Sequence, residues 1–512
     1  MCRKKSSAAV VSANWFLGQE SVPISSDTTA DGKQAFLIIG DSTGAGRTTG
    51  GEVGPTASAG ILYEYNGVDL TQLTTAEVST ANTGSPWKQF GITYNSNFGN
   101  KVVLIAKGSA GSNFYPDGDN NNWYTSGDLY TPAKTAANDC LAFLGITKLK
   151  GVFVMLGVND VRAATTIANI QTGIDSFMTR IQADFPDTPI LMILPGTTEV
   201  TGNSLLLSQT RDYLIQKAKD NTNVYVVAAG ASLRYGGYFD TDTLHYNQNG
   251  NNEIGKMFVR WYNNSSYTNK WVRAVISNHF DDLSTNRKNL ISTFVTNQIN
   301  NGNYWKLEHL SVHKTTIEAN LGIDWSFMGQ VQKSGSPVFT ANNNVASDGS
   351  SNHILPTTNA SVQKIRASQN DGILGQKLKT RVTASGVAAV FYGGGNATAS
   401  VTVQQTTTNV AYRYNDNTIT TMADASFDND TLYSVARNGG TKYLIKNTAV
   451  AASAVVASTG ETAILTVLGA LNNNGTIQLR FAGEYEYTFM AKYSDFDLAS
   501  FYSDIETLID NW

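Results

Sequence analysis

Cysteine is almost missing from this chain: two in 512 residues, Cys2 and Cys140. One lies in the terminal stretch and the other in a helical pattern, so neither a disulfide framework nor a zinc site is expected, and Cys140 reads as a plain buried thiol. Charge is also scarce. Only 15% of residues are Asp, Glu, Lys or Arg, the net charge is −4, and no basic block stands out beyond Arg3-Lys4-Lys5. Nucleic-acid binding therefore has no electrostatic support. No apolar run approaches the roughly 20 residues that cross a bilayer. The start is basic, but the stretch 8–13 is too short and too polar for a signal core, so no signal peptide is expected and Met1 is read as retained. Histidine is rare, with five residues. In their place the chain is rich in Asn, Thr, Ser and Gly, a composition that favours β-structure and surface roles. Its length implies two or three domains.

Residues 1–32 are Ser/Ala/Thr-rich and read as an arm or anchor. Five short apolar runs follow, at 35–39, 102–106, 152–156, 190–194 and 224–227. Consecutive apolar, β-branched positions are how a strand covered on both faces reads. Between them lie helical stripes. Ile167, Ile170, Ile174, Phe177, Met178 and Ile181 share one face; Leu205, Leu206, Tyr213, Leu214 and Ala218 a second; Ile254, Met257, Phe258 and Trp261 a third. Strands alternating with helices predict a parallel sheet whose site lies beyond the carboxyl ends of its strands. The pattern changes near 270. A helical stretch at 283–299 is followed by short alternating segments punctuated by Asn/Gly/Asp clusters, with strands predicted at 379–387, 400–404, 433–437 and 477–482. The chain closes on an amphipathic stripe of Leu498, Phe501, Tyr502, Ile505, Leu508, Ile509 and Trp512. The expected division is an arm at 1–32, an α/β domain at 33–268, a helical linker at 269–310 and a β-sandwich with a final helix at 311–512.

Three strings carry chemistry. Gly40-Asp41-Ser42 closes the first predicted strand and presents a hydroxyl. Its glycines miss the phosphate-loop and dinucleotide spacings, since Ala45 stands at the sixth position from Gly40, where a Gly would be needed, and Gly50 comes one residue late. Gly157-Val158-Asn159-Asp160 closes the third strand: Asn159 offers a neutral N–H donor to an oxyanion, and Asp160 reads as a cap or loop anchor. Asp242 and His245 stand three apart, so one turn lets the carboxylate accept from one ring nitrogen while the other faces Ser42. After the second strand, Gly111 is assigned a backbone N–H toward the same oxyanion, with Gly108 as its near rival. His309 and His313 have metal-ligand spacing, but in an irregular or strand region that spacing does not converge. No metal and no organic cofactor are expected.

Gly40-Asp41-Ser42, Gly111, Gly157-x-Asn159-Asp160 and Asp242-x-x-His245 resemble the four consensus blocks of the SGNH (GDSL-type) hydrolases, over about residues 33–265. The resemblance implies a flavodoxin-like three-layer α/β fold. It implies Ser42 as nucleophile, His245 as base, Asp242 as its orienter, and an oxyanion hole of the Ser42 N–H, the Gly111 N–H and Asn159. Thr43 stands where that family often has Leu. Within the family the chain looks like the carbohydrate O-acetylesterases. Trp123 and Tyr130, in the polar insert after Gly111, are candidates for stacking on a sugar, with loop packing as the alternative.

The C-terminal half resembles modules of tailed-bacteriophage structural proteins, in the stretch 289–307 and from 484 to the last helix. Such modules look like concanavalin-type sandwiches that bind glycans or neighbouring subunits. Together these resemblances imply a virion-associated serine esterase of a tail or fibre, released by lysis and acting extracellularly on acetylated host surface polysaccharide. The implied partners are that glycan, other virion proteins and further copies of the chain, with a trimer common among fibre-like proteins. A virion adhesin without catalysis and a secreted bacterial esterase with a binding module are the alternative readings.

Overall fold

The computed structural model describes residues 28–48, 50–81, 83–196, 203–234, 236–315 and 317–328; beyond these it describes the chain to 512 except for 329–330, 335–337, 340–344, 348–352, 357–365, 368–369, 382–388, 396–399, 407–408, 417, 423–426, 460–466, 469–470, 474–475 and 479–482. The expected arm falls outside the described residues up to 27.

The apolar runs form one sheet. Its strands are β1 (Lys33–Gly40), β2 (Leu62–Tyr65), β3 (Leu70–Gln72), β4 (Lys101–Ala106), β5 (Gly151–Met155), β6 (Ile190–Leu194) and β7 (Val224–Ala229), in the order β3-β2-β4-β1-β5-β6-β7. Every pairing is parallel except that of β3 with β2. The span β4-β1-β5-β6-β7 has the order 2-1-3-4-5 of a doubly wound sheet, whose reversal point lies at β1. The helices between the strands are α1 (Ser42–Ala45), α2 (Trp87–Phe98), α3 (Tyr130–Leu144), α4 (Val158–Arg162), α5 (Ile167–Asp184), α6 (Ser204–Asp220) and α7 (Gln248–Asn263). Helices α2 and α7 cover one face through an aromatic cluster, and Phe177 of α5 meets Phe114, Trp123 and Tyr130 in another.

Phe153 of β5 is the hub of the first cluster. Its ring lies 4.4 Å from Phe258, 4.8 Å from Phe90, 5.4 Å from Trp87 and 5.5 Å from Phe36. Phe153→Ala removes a fully buried ring from these four, and a loss of about 3–5 kcal/mol of unfolding free energy is expected in denaturant titration. A loss below about 1 kcal/mol, the ordinary range for an uncritical site, would refute that hub role.

The stretch expected as a linker is helical, and it is packed rather than tethering. It holds α8 (Lys270–Ser277) and α9 (Thr285–Asn300), with Trp271, Val272, Val275, Ile291, Phe294 and Val295 buried. Helix α8 lies on β7 and α7. Strand β8 (Leu307–Val312) begins inside the stretch and pairs with Gly483–Ala491 from near the end of the chain.

The remainder is a β-sandwich. Among the described residues one sheet has eight strands, including β8, Asp371–Arg381, Thr431–Asn438, Thr441–Lys446, Ala449–Val455 and Gly483–Ala491, and these pair antiparallel. The other contains Ala389–Gly395, Ser400–Gln405, Val410–Asp416 and Thr420–Met422. Leu374, Leu378, Tyr433, Val435 and Leu444 of the first sheet share a core with Val401, Val403, Val410, Tyr412 and Tyr414 of the second. The outer face of the first sheet is also covered. Phe489 meets Phe501 of α10 (Leu498–Asp510), which meets Phe294 of α9, and one apolar core runs from here into the α/β sheet. Fully buried Arg211 adds a polar tie, donating Nε to Pro195 O at 2.6 Å and Nη1 to Met328 O at 3.1 Å.

Candidate active site

The nucleophile turn is built by its glycine and its aspartate. A Cβ on Gly40 would stand 2.6 Å from Met155 O and 2.7 Å from Gly44 Cα, so only glycine lets β1 turn against the end of β5. Asp41 donates its N–H to Met155 O at 3.0 Å and caps α1, its Oδ1 accepting from Thr43 N at 2.9 Å and Thr43 Oγ1 at 2.6 Å. These bonds hold Ser42 at the start of α1, beyond the carboxyl end of β1.

The candidate base, His245, comes from the long connection between β7 and α7. Asp242 organises the turn on which it sits: its Oδ1 accepts from Leu244 N and His245 N, both at 2.9 Å, and Thr243 takes φ +55. Its Oδ2 lies 2.5 Å from His245 Nδ1, and His245 Nε2 lies 2.8 Å from Ser42 Oγ. Burial by itself would raise the Asp242 carboxyl; the His245 ring and the two N–H donors outweigh it and hold the group below the usual carboxylate range. An ionised Asp242 keeps the proton on Nδ1, which leaves the Nε2 lone pair for the Ser42 hydroxyl. Residues 203 positions apart thus form a Ser-His-Asp relay with its hydrogen bonds already made.

The loops after β4 and β5 flank this relay, because those strands flank β1. Gly157, at φ +114, opens α4 with Phe114 and Thr210 against it. Asn159 Nδ2 donates to Ser112 O at 3.2 Å, and Ser112 Oγ donates to Gly40 O at 3.2 Å, so the two loops are joined to each other and to the nucleophile turn. Of the two glycines after β4, Gly108 packs against that turn, where a Cβ would stand 2.6 Å from Ala45 N and Cα. Gly111 lies on the exposed rim at φ +79, where a Cβ would meet only Asn121.

Two expected sugar contacts are corrected. Trp123 is fully buried, donating its indole N–H to Ser112 Oγ at 3.0 Å, and Tyr130 is buried under Arg180 with its hydroxyl donating to Asp184 at 2.8 Å. Both pack against Phe177, so neither offers a free ring face to a ligand. Asp160 anchors the loop after β4, as the sequence indicated, and Asp41 is a second buried carboxyl near the site. Burial pushes Asp160 up to about 7 against two N–H donors, with the Asp41 charge adding to the rise, and burial raises Asp41 as well. Burial likewise pushes the Cys140 thiol up to about 12. His309 lies in β8 and His313 just after it, both buried. Among the described residues no group of three or more His, Cys, Asp or Glu side chains converges as for a metal ion, and no helix is long and apolar enough to cross a membrane.

No family profile and no curated protein matches the chain. Solved structures that resemble it in part include a protein of Arabidopsis thaliana (14% identity, 45% of this chain and 98% of that one, TM-score 0.35). Another is NanS (13%, 45% and 96%, TM-score 0.35). A third is the Ruminococcus gnavus IT-sialidase CBM40 bound to α2,3-sialyllactose (16%, 26% and 82%, TM-score 0.22). Likenesses of this degree carry no argument about fold or chemistry, which rest on the geometry above.

Proposed function

We propose that this chain is a serine esterase of the SGNH type that removes acetyl groups from a surface polysaccharide, carried as part of a virion tail or fibre. The observation that carries the chemistry is the 2.8 Å contact of Ser42 Oγ with His245 Nε2, backed by Asp242. The acetyl and sugar assignment leans on the motif resemblance, and the virion setting on the resemblance of the C-terminal half. In this reading His245 takes the Ser42 proton as Oγ attacks the acetyl carbonyl. The oxyanion is received by the Ser42 amide, by the second N–H of Asn159 and by a glycine amide of the loop after β4, Gly111 or its closer-packed rival Gly108. His245 then protonates the departing sugar oxygen as its bond to the acetyl carbon breaks, and a water activated by the same ring frees acetate from Ser42. The sandwich, of concanavalin type in this reading, holds glycan or neighbouring subunits, and the full particle component is a homo-oligomer.

The test is covalent. A fluorophosphonate ester is expected to label one residue per chain, mapped by peptide mass spectrometry to Ser42, and to stop acetate release from O-acetylated polysaccharide. No labelling of the folded protein, or labelling elsewhere with acetate release intact, would overturn the reading.

A further inference from the structure

We propose that Asp160 is a positioning residue for the acyl transfer: by clamping Phe114 and Tyr115 it holds the 109–115 loop, with the Asn159 amide beside it, in the geometry that binds the oxyanion. The inference deepens the esterase reading and rests on it.

Asp160 is fully buried in the first turn of α4, directly after Asn159. An acidic residue there ordinarily serves its own helix. Here each carboxylate oxygen also takes an amide from a different loop: Oδ2 from Phe114 N at 2.9 Å and Oδ1 from Tyr115 N at 3.1 Å. Two hydrogen bonds from adjacent backbone amides onto the two oxygens of one buried carboxyl group fix both the position and the direction of a segment. The same loop is held at its other end, where Ser109 N donates to Gly40 O at 2.9 Å and Ser112 Oγ donates to that oxygen too. Between these anchors Asn159 Nδ2 reaches Ser112 O. Helix α5 closes the back: a Cβ on Gly173 would stand 2.8 Å from Phe114 O and 2.9 Å from Tyr115 N. Asn159 and Asp160 therefore divide one task. The first presents a side-chain amide at the loop, and the second keeps that loop and its own backbone donor from drifting away from Ser42. A displacement of the donors weakens binding of the oxyanion more than of the neutral ester, so the effect belongs in kcat.

The experiment is steady-state hydrolysis of p-nitrophenyl acetate by the full chain, as wild type, S42A, D160N and R162A. Arg162 is an exposed residue of the same helix and serves as the control. D160N is expected to lower kcat about 100-fold with KM within about threefold, while R162A matches wild type. Equal rates for wild type and S42A defeat the esterase reading itself. With that reading standing, a folded D160N whose kcat stays within about twofold of wild type, or whose loss lies in KM alone, overturns the positioning role. D160E is measured alongside. If neither variant folds by circular dichroism, the residue belongs to the fold rather than to the site, and the proposal is likewise overturned.

Discussion

Ser42→Ala is expected to lower kcat/KM for an aryl acetate by about 10³- to 10⁶-fold, and His245→Ala by a similar factor. The reason is geometric. The hydroxyl and the ring nitrogen are already at 2.8 Å, so neither group works without the other. A hydroxyl with no base is a poor nucleophile, and a base with no hydroxyl has nothing to activate but water. The double variant Ser42→Ala/His245→Ala should therefore be no slower than either single one. That lack of additivity is the sharper reading of the experiment, because two independent contributions would multiply. Folding is not expected to suffer from Ser42→Ala, since α1 is capped by Asp41 and not by the serine. If Ser42→Ala keeps its rate, or if the double variant falls by the product of the singles, the relay is not the catalyst.

His279 and His313 set the second large effect, an acid-dependent loss of stability. Both are buried. His279 donates its Nδ1–H to Val275 O at 2.8 Å beside the rings of Trp325 and Trp512, and burial pulls it down to about 4; Asp281 opposes this, and Arg260 and Arg287 add to it. Burial pulls His313 down to about 3, with His309 adding to the fall. In the unfolded chain each titrates near 6.5. Between that value and the folded one the unfolded state binds a proton that the native state refuses, so stability falls as pH falls. By pH 5 each histidine costs about 2 kcal/mol. Raised carboxyls run the other way: Asp160, pushed up to about 7 by burial, takes up its proton in the fold at a pH where the unfolded carboxyl is still ionised, and burial raises Asp41, Glu64 and Glu486 in the same sense. The measurement must therefore be a difference. Between pH 7.5 and 5 the wild type is expected to lose about 2 kcal/mol more than His279→Gln, whose amide keeps a donor for Val275. Parallel pH curves for the two proteins would show that His279 is protonated in the native state.

The parallel strands of the span β4-β1-β5-β6-β7 were legible because a strand covered on both faces is written as a run of consecutive apolar residues, and each of the five lies where such a run stands. Helices α5, α6, α7 and α9 announced themselves by their stripes. What hid was hidden by glycine. Helix α2 contains Gly91, a helix-weakening residue that is needed there because a Cβ would come within 2.5 Å of Leu62. The strand predicted from 379 starts at Asp371, ahead of Gly372 and Gly375, which look like turn residues; a Cβ on Gly375 would strike the Phe489 ring at 2.3 Å. Both glycines report close packing rather than a break. Strands β2 and β3 are short and lie at the sheet edge, and Glu64 interrupts the apolar text of β2 while accepting from Ser79 N at 2.8 Å. Within the site, the pair three residues apart and the serine at a strand end were legible because each is a local pattern. Trp123 and Tyr130 were not, because an aromatic residue in polar text does not reveal which way it faces.

The helical layer of α8, α9 and α10 has a consequence for how such a chain can be rearranged. Beads on a string can be exchanged by cutting the string, but here the sandwich and the α/β sheet share their apolar interior through that layer. A chain that inherits only one half also inherits a bare oily wall, and must find something to cover it.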